Sequence, residues 1–317
     1  MQPFTRRKTE SVASLGETGL ITAIKTWLGK TSPPSPRGIG DDCAVLAPSA
    51  AMQVITVDPV IFGRHFDASV PARAVGAKLL KRNLSDLAAM GAKPTAAVVA
   101  LVLDPAVKTL WLEQFYRGLA STAESYDVAI VGGDVAQAPG ALTASLTLLG
   151  QAVTTRLLTR SGAKIGDWIY VTGKLGGSIA GHHYTFRPRL AEGAWLAAQS
   201  SVRSMMDLSD GLAKDLHALT PPGARPSLWP TALPISLAAR RLAKKTKCPP
   251  IEHAITDGED YELIFTLAKN ADSLVFERNW RKKFRTPLTC IGNFVRPETP
   301  FGDEISLEDF RGYEHLR

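Results

Sequence analysis

Between Lys78 and Pro94 the chain reads KLLKRNLSDLAAMGAKP, and this run restricts the available folds more than any other. Leu80, Leu84, Leu87 and Met90 recur at the spacing of one helix face. Gly91 offers a C-terminal stop, and Pro94 cannot continue a helix. Asp86 therefore sits among apolar and small residues, where a carboxylate is costly unless a cation or several donors satisfy it. Two readings stay open at this point, a helix Asp paired with Lys or Arg and a ligand that takes a metal.

A chain of 317 residues, 45% apolar and 21% charged, can bury two cores. A shift to polar, loop-like sequence over Gln151–Lys164 places the boundary near Gly150, giving an N-terminal domain of 1–150 and a C-terminal domain of 151–317. No apolar run approaches the ~20 residues needed to span a bilayer, and MQPFTRRKTE lacks the apolar stretch of a secretory signal. A cytoplasmic protein without a membrane partner is expected. Cys43, Cys248 and Cys290 form no CxxC pair, which argues against a disulfide framework or a zinc cluster. The net charge is +7, with basic runs at Arg240, Arg241, Lys244, Lys245 and Lys247 and again at Arg281, Lys282, Lys283 and Arg285. Both runs read as solvated helix faces without interleaved aromatics, so no nucleic-acid partner is expected. The basic balance instead favours anionic ligands.

Several shorter stretches place carboxylates beside glycines. Leu20, Ile21, Ile24, Trp27 and Leu28 predict a short helix ending at Gly29, and the following Lys30-Thr31 is not a P-loop because a strand is missing before it. Gly38-Ile39-Gly40-Asp41-Asp42 is a tight loop that presents acids. Gln53–Pro59 is strand-like, so Thr56 and Asp58, two apart, face the same side of a sheet. His65 follows between aromatics. A buried strand over Thr95–Leu103 precedes an amphipathic helix, Leu110–Tyr126, that carries Tyr116. A strand over Val128–Val131 then runs into Gly132-Gly133-Asp134, where glycines allow close backbone approach to a ligand. Strand Leu142–Leu149 closes the first half. In the second half, WIYVT enters the turn Gly173–Ser178, whose backbone N–H groups suit a phosphate. Adjacent His182 and His183 read as solvated or structural. MMDLSDGLAKDL gives a strand-to-helix junction bearing Asp207, Ser209 and Asp210, and DGEDYEL brings acids around a glycine before a strand.

Asp42, Asp58, Asp86, Asp134, Asp207 and Asp210 thus recur next to glycines or at strand ends on an otherwise basic chain. Hard oxygen ligands in that number suit Mg²⁺, which keeps waters and bridges to phosphate oxygens. The implied substrate is a polyphosphate.

The motifs GIGDDCAVL, TVDPVIFGRHF, KLLKRNLSDLAAMGAKP, VGGDVAQAP, LTRSGAKIGDWIYVTGKLGGS, MMDLSDGLAKDL, DGEDYELIFT and RGYEHL resemble, in sequence and order, those of the thiamine-monophosphate kinases. That family lies within the aminoimidazole ribonucleotide synthetase and selenophosphate synthetase superfamily. The resemblance implies a two-domain α/β (α+β) aminoimidazole ribonucleotide synthetase-like fold whose N-terminal sheet joins that of a homodimer partner in a barrel. It implies transfer of the ATP γ-phosphoryl group to thiamine monophosphate. It implies metal ligation by Asp42, Thr56, Asp58, Asp86, Asp134, Asp207 and Asp210, with Asp86 and Asp210 decisive for turnover. Tyr116, Gly133, Arg160 and Ser209 match nucleotide contacts, and His65, Glu259 and Tyr313 match acceptor contacts. The chain departs from the family in having Val135-Ala136-Gln137-Ala138 where GGDTTRGP is usual, Val57 for a common Thr, and Asp257 for a Gly. Another ATP-using enzyme of the superfamily, such as a selenophosphate synthetase, or a non-catalytic nucleotide-binding homologue, is the alternative; against the former, this chain lacks the N-terminal Cys or selenocysteine motif expected there.

Overall fold

The computed structural model describes residues 1–35, 37–39, 44, 46, 48–307 and 310–313. Asp41 and Asp42 lie outside the described residues. The chain divides into two compact units, one of residues 1–87 and 93–152 and one of residues 88–92 and 153–317.

The first unit contains α1 (Gly16–Leu28), β1 (Gln53–Ile61), most of α2 (Ala72–Met90), β2 (Ala92–Leu103), α3 (Thr109–Ser125), β3 (Ala129–Gln137) and β4 (Leu142–Ala152). Its four strands lie in the order β1-β4-β2-β3, with β1 antiparallel to β4 and β2 parallel to β3. Strand β4 alternates buried and half-buried residues along its whole length, the pattern of a strand with one face on a core. Helix α1 buries Leu20, Ile24 and Leu28, one residue per turn, and α3 buries Trp111, Leu112, Phe115, Tyr116, Leu119 and Ala123.

Helix α2 starts at Ala72, two turns before the motif that predicted it, and stops where Gly91 turns left-handed at φ 67°. Pro94 is no helix breaker here, because β2 has already begun at Ala92. A strand can carry a proline where the ladder does not need its N–H. Helices α2 and α3 approach at backbone level: a Cβ on Gly76 would fall 1.9 Å from the Phe115 carbonyl oxygen, and one on Gly118 would fall 2.0 Å from that of Arg73.

The second unit adds β5 (Trp168–Thr172), α4 (His182–Thr185), α5 (Leu190–Ala197), β6 (Val202–Asp207), α6 (Leu212–Leu219), β7 (Arg225–Leu228), α7 (Leu237–Thr246), α8 (Pro250–Thr256), β8 (Leu263–Leu267), α9 (Ser273–Lys283) and β9 (Leu288–Val295). These strands form one antiparallel sheet in the order β6-β8-β5-β9-β7. Alternation divides the sheet's side chains between two cores. Ile169, Val171, Met206 and Ile264 pack with Leu212 and Leu216 of α6 and Ile255 of α8. Tyr170, Met205, Leu263, Phe265 and Leu267 pack with Leu196 of α5 and Phe276 and Trp280 of α9. All five residues of β8 are consequently buried, so LIFTL is apolar but for Thr266, whose hydroxyl bonds Ser204 on the paired β6. The fold is mixed α/β. The basic residues Arg240, Arg241, Lys244, Lys245, Arg281, Lys282 and Lys283 are exposed on α7 and α9, the solvated faces expected of them. Among the described residues no helix is long and apolar enough to cross a membrane.

Candidate active site

In the first unit, the acids are set by a match between helix and strand. Four residues of helix rise about 6 Å and two residues of strand about 6.6 Å, so residues at i, i+4 on α2 meet residues at i, i+2 on β1. Asp86 accepts a hydrogen bond from the Thr56 hydroxyl at 2.5 Å. One turn earlier, Arg82 donates Nη1 to the Pro59 carbonyl at 2.7 Å and places Nη2 3.3 Å from the Asp58 carboxylate. A further turn back, the fully buried Lys78 donates Nζ to the His65 carbonyl at 2.9 Å. Arg82 of the helix thus pairs with Asp58 on the strand, and Asp86 accepts a hydroxyl from the same strand. Lys78 and Arg82 escaped the sequence reading although their spacing of eight and four residues from Asp86 put them on its helix face.

The turn after β1 holds His65 with its Nδ1 accepting the Ile61 N–H at 3.1 Å. In the neutral ring the proton is therefore on Nε2, a donor suited to an anion. A cavity of about 440 Å³ in the same unit is lined by Tyr116, Gly133 and Asp134 with Glu17, Ile21, Ile24, Leu28, Ile39, Val99, Ile130, Gly132 and Val135. Burial pushes the Tyr116 phenol above its ordinary range, so it is a neutral wall packed against Trp27 and Phe115. Asp134 is not at a strand end as expected, since β3 continues through Gln137; it is an exposed strand residue. Gly133 admits no side chain, because its Cβ would lie 2.1 Å from the Val99 carbonyl oxygen on the paired strand.

In the second unit, Asp207 ends β6, buried, and the loop that follows carries Ser209 and Asp210 to α6. Asp215, in the first turn of α6, accepts the backbone N–H groups of both Ser209 and Asp210 at 3.0 Å. Burial, then the charge of Asp207, push the Asp215 carboxyl up to about 7 against the pull of the Asp210 N–H. Lys214 donates to Asp210 Oδ2 at 2.6 Å and to the Tyr313 carbonyl at 2.9 Å, while the Tyr313 N–H bonds the Asp210 carbonyl at 2.9 Å. The C-terminal segment with Tyr313 is therefore fastened to the LSDG loop. Glu259 approaches the same loop through its N–H, which bonds the Ser209 carbonyl at 2.7 Å. Its carboxylate accepts the Tyr261 hydroxyl at 3.1 Å and lies 3.5 Å from His183 Nδ1. His183 is buried and so structural rather than solvated. Arg160 is exposed in its loop.

The glycine-rich turn does not offer a phosphate cradle. Gly176 gives its N–H to the Asp260 carboxylate at 2.9 and 3.0 Å, and Gly177 gives its own to Asp257 at 2.7 Å. Two carboxylates occupy the donors that an anion would need. Glu262, the last acid of DGEDYEL, is buried against Arg189 at 2.5 and 2.7 Å and the Thr172 hydroxyl at 2.6 Å.

Tertiary structure thus brings Thr56, Asp58 and Asp86 together around one helix face, gathers Tyr116, Gly133 and Asp134 on one cavity, and ties Ser209, Asp210, Glu259 and Tyr313 to one loop. Among the described residues, no three His, Cys, Asp or Glu side chains are grouped so as to hold a metal by themselves.

Residues 40–152 match the family model for AIR synthase related protein, N-terminal domain. The thiamine-monophosphate kinase of Rhodopirellula baltica is 37% identical over 270 residues, spanning 81% of this chain and 83% of that protein. Among solved structures, thiamine-monophosphate kinase from Stenotrophomonas maltophilia K279a is similar with a TM-score of 0.74 at 32% identity, over 86% of this chain and 93% of that one. AaThiL complexed with AMPPCP and TMP is similar with a TM-score of 0.73 at 29% identity, over 99% of this chain and 100% of that one.

Proposed function

Because the chain belongs to the thiamine-monophosphate kinase family, we propose that it transfers the γ-phosphoryl group of ATP to thiamine monophosphate by direct in-line displacement assisted by Mg²⁺. The observation that carries the reading is the cavity on which Tyr116, Gly133 and Asp134 converge from α3 and β3, three positions that resemble the family's nucleotide and metal contacts. A relative of similar fold is complexed with AMPPCP and TMP.

The donor set fits magnesium: Thr56, Asp58, Asp86 and Asp134 in the first unit and Asp207 and Asp210 in the second offer oxygen alone, without thiolate or imidazole. Asp42 is assigned with them from its motif. Mg²⁺ takes one or two carboxylates and completes its shell with water and phosphate, so the lack of a three-carboxylate group among the described residues is compatible with it. When bound, it neutralises charge on the transferring phosphoryl oxygens.

The chain's own groups have separate tasks. Tyr116 and the apolar residues beside it exclude water from a nucleobase, Gly133 lets the backbone approach, and Arg160 and Ser209 are assigned to the phosphates. His65, Glu259 and Tyr313 are assigned to the acceptor, with the His65 Nε2–H as donor to its phosphate. An oxygen of that phosphate forms the new bond to the γ-phosphorus as the bond to the β,γ-bridging oxygen breaks, its electron pair leaving with ADP. The acceptor is already ionised at neutral pH, so alignment matters more than a general base.

We place the enzyme in the cytoplasm as a homodimer whose β1 edges pair, closing the two N-terminal sheets into a barrel. Supporting this, β1 is an edge strand on which Ile55 is 70% and Val57 61% exposed, an apolar edge that a monomer would have to protect.

A coupled ADP-release assay with thiamine monophosphate and Mg²⁺ tests the activity. Release is expected, falling by about 10²-fold or more in Asp86→Asn and Asp210→Asn with the fold intact. Near-normal turnover in both variants, or release only with a different acceptor, overturns the reading.

A further inference from the structure

The segment Gly258–Tyr261 is held in a conformation its sequence does not favour. Glu259 has φ 62° and Tyr261 φ 51°, so two non-glycine residues flanking Asp260 are left-handed, a strained conformation for a residue with a Cβ. Such strain persists only where the surroundings over-determine the backbone. One restraint is a short ladder to the LSDG loop: Glu259 N–H to Ser209 O at 2.7 Å, Tyr261 N–H to Leu208 O at 2.8 Å, and Leu208 N–H to Glu262 O at 2.8 Å. Tyr261 is further clamped by stacking on Phe186, with ring centroids 3.9 Å apart.

The other restraint is Asp260. It is only 2% exposed, accepts the Gly176 N–H on both carboxylate oxygens, and takes His182 Nε2 on its own carbonyl at 3.1 Å. Gly176 must be glycine to give that N–H, since at φ 83° its Cβ would lie 2.6 Å from the His253 carbonyl oxygen. The neighbouring Asp257 takes Gly177, and Ser178 Oγ donates to the Gly258 carbonyl. The glycine-rich turn is thus an anchor rather than an anion site. Burial raises the Asp260 carboxyl well above its ordinary range, with the charge of Glu262 adding to the effect. Burying a carboxylate against a single backbone donor is an expense that a merely solvated loop would avoid.

We propose that Asp260 is a positioning residue: by fastening the Gly173–Ser178 turn it keeps Glu259 left-handed and aims the Glu259 carboxylate, thereby setting affinity for the phosphorylated acceptor rather than for the nucleotide. The part that concerns the acceptor rests on the function proposed above.

The test compares Asp260→Ala with Asp260→Asn, which keeps a carbonyl oxygen for Gly176. Losing one partner of a buried hydrogen bond leaves the other unsatisfied, so the alanine variant is expected to lose about tenfold or more amide-exchange protection at Glu259 and Tyr261. Its KM for thiamine monophosphate should rise by a similar factor while its KM for ATP stays within about twofold, and asparagine should restore both quantities to within about threefold. Asp260→Glu serves where alanine prevents folding. Unchanged exchange in the alanine variant, an equal rise in both KM values, or no rescue by asparagine overturns the proposal. Exchange is measured without substrates, so it reports on the anchor even if thiamine monophosphate is not the acceptor.

Discussion

Replacing Gly76 by alanine sets two well-characterised effects against each other. Alanine inside a helix gains about 1 kcal/mol over glycine, and Gly76 lies within α2. Its Cβ, however, would stand 1.9 Å from the Phe115 carbonyl oxygen, 2.8 Å from the Phe115 carbonyl carbon and 3.0 Å from the Leu119 nitrogen. All three are backbone atoms of α3, so no rotamer change relieves the contact and the helices must part. Overpacking of this kind costs about 1–3 kcal/mol, occasionally more, and the rigidity of the obstacle places it at the upper end. The net loss is about 1–2 kcal/mol, or a fall in Tm of roughly 2–8 °C for a unit of this size. Because α2 also carries Lys78, Arg82 and Asp86, an opening near 1 Å is expected to lower turnover by about 10²-fold. Gly19→Ala is the control: it also lies within a helix, but its Cβ would meet only the Leu15 Cβ at 3.5 Å, an ordinary contact, so it should stabilise by up to about 1 kcal/mol. Calorimetry and steady-state turnover on the three proteins decide the matter. A Tm for Gly76→Ala equal to or above that of the unsubstituted protein, with turnover intact, would refute the claim that backbone contact fixes α2.

Two other outcomes follow from the same geometry. Asp215 keeps its proton in the folded protein up to about pH 7, whereas an ordinary aspartate releases it near 3.8; the folded state therefore binds more protons between those values, and stability falls as pH rises through that window. Asp215→Asn should remove much of this slope in urea titrations, and an unchanged slope would mean that the buried carboxyl ionises freely. Val57→Glu tests the proposed dimer by putting a charge on the exposed face of the β1 edge: sedimentation of the unsubstituted protein as a dimer and of the variant shifted towards monomer is expected, and equal sedimentation of the two would remove β1 from any interface.

Much of the local structure was legible because it is written in periodicity and punctuation. The helix through Asp86, the strand carrying Thr56 and Asp58 on one face, the amphipathic helix with Tyr116 and the strand-to-helix junction at Asp207 to Gly211 all follow from apolar spacing and glycine stops. Element ends were less legible. Helix α2 begins six residues before Lys78 and β3 runs on past Asp134, since tertiary packing extends elements beyond where local preference fades.

The primary structure determined which groups are present and on which face of which element they lie: oxygen donors without sulfur or clustered imidazole, and a motif order shared with one family of kinases. It could not determine their partners. That Asp58 meets Arg82 while Asp86 meets Thr56, that the donors of the glycine-rich turn serve Asp257 and Asp260, and that Glu262 closes on Arg189 depends on segments as many as 90 residues apart in contacts such as Thr172 to Glu262. A side chain's hydrogen-bond capacity is local, but its use is settled by whatever the folded backbone brings within about 3 Å.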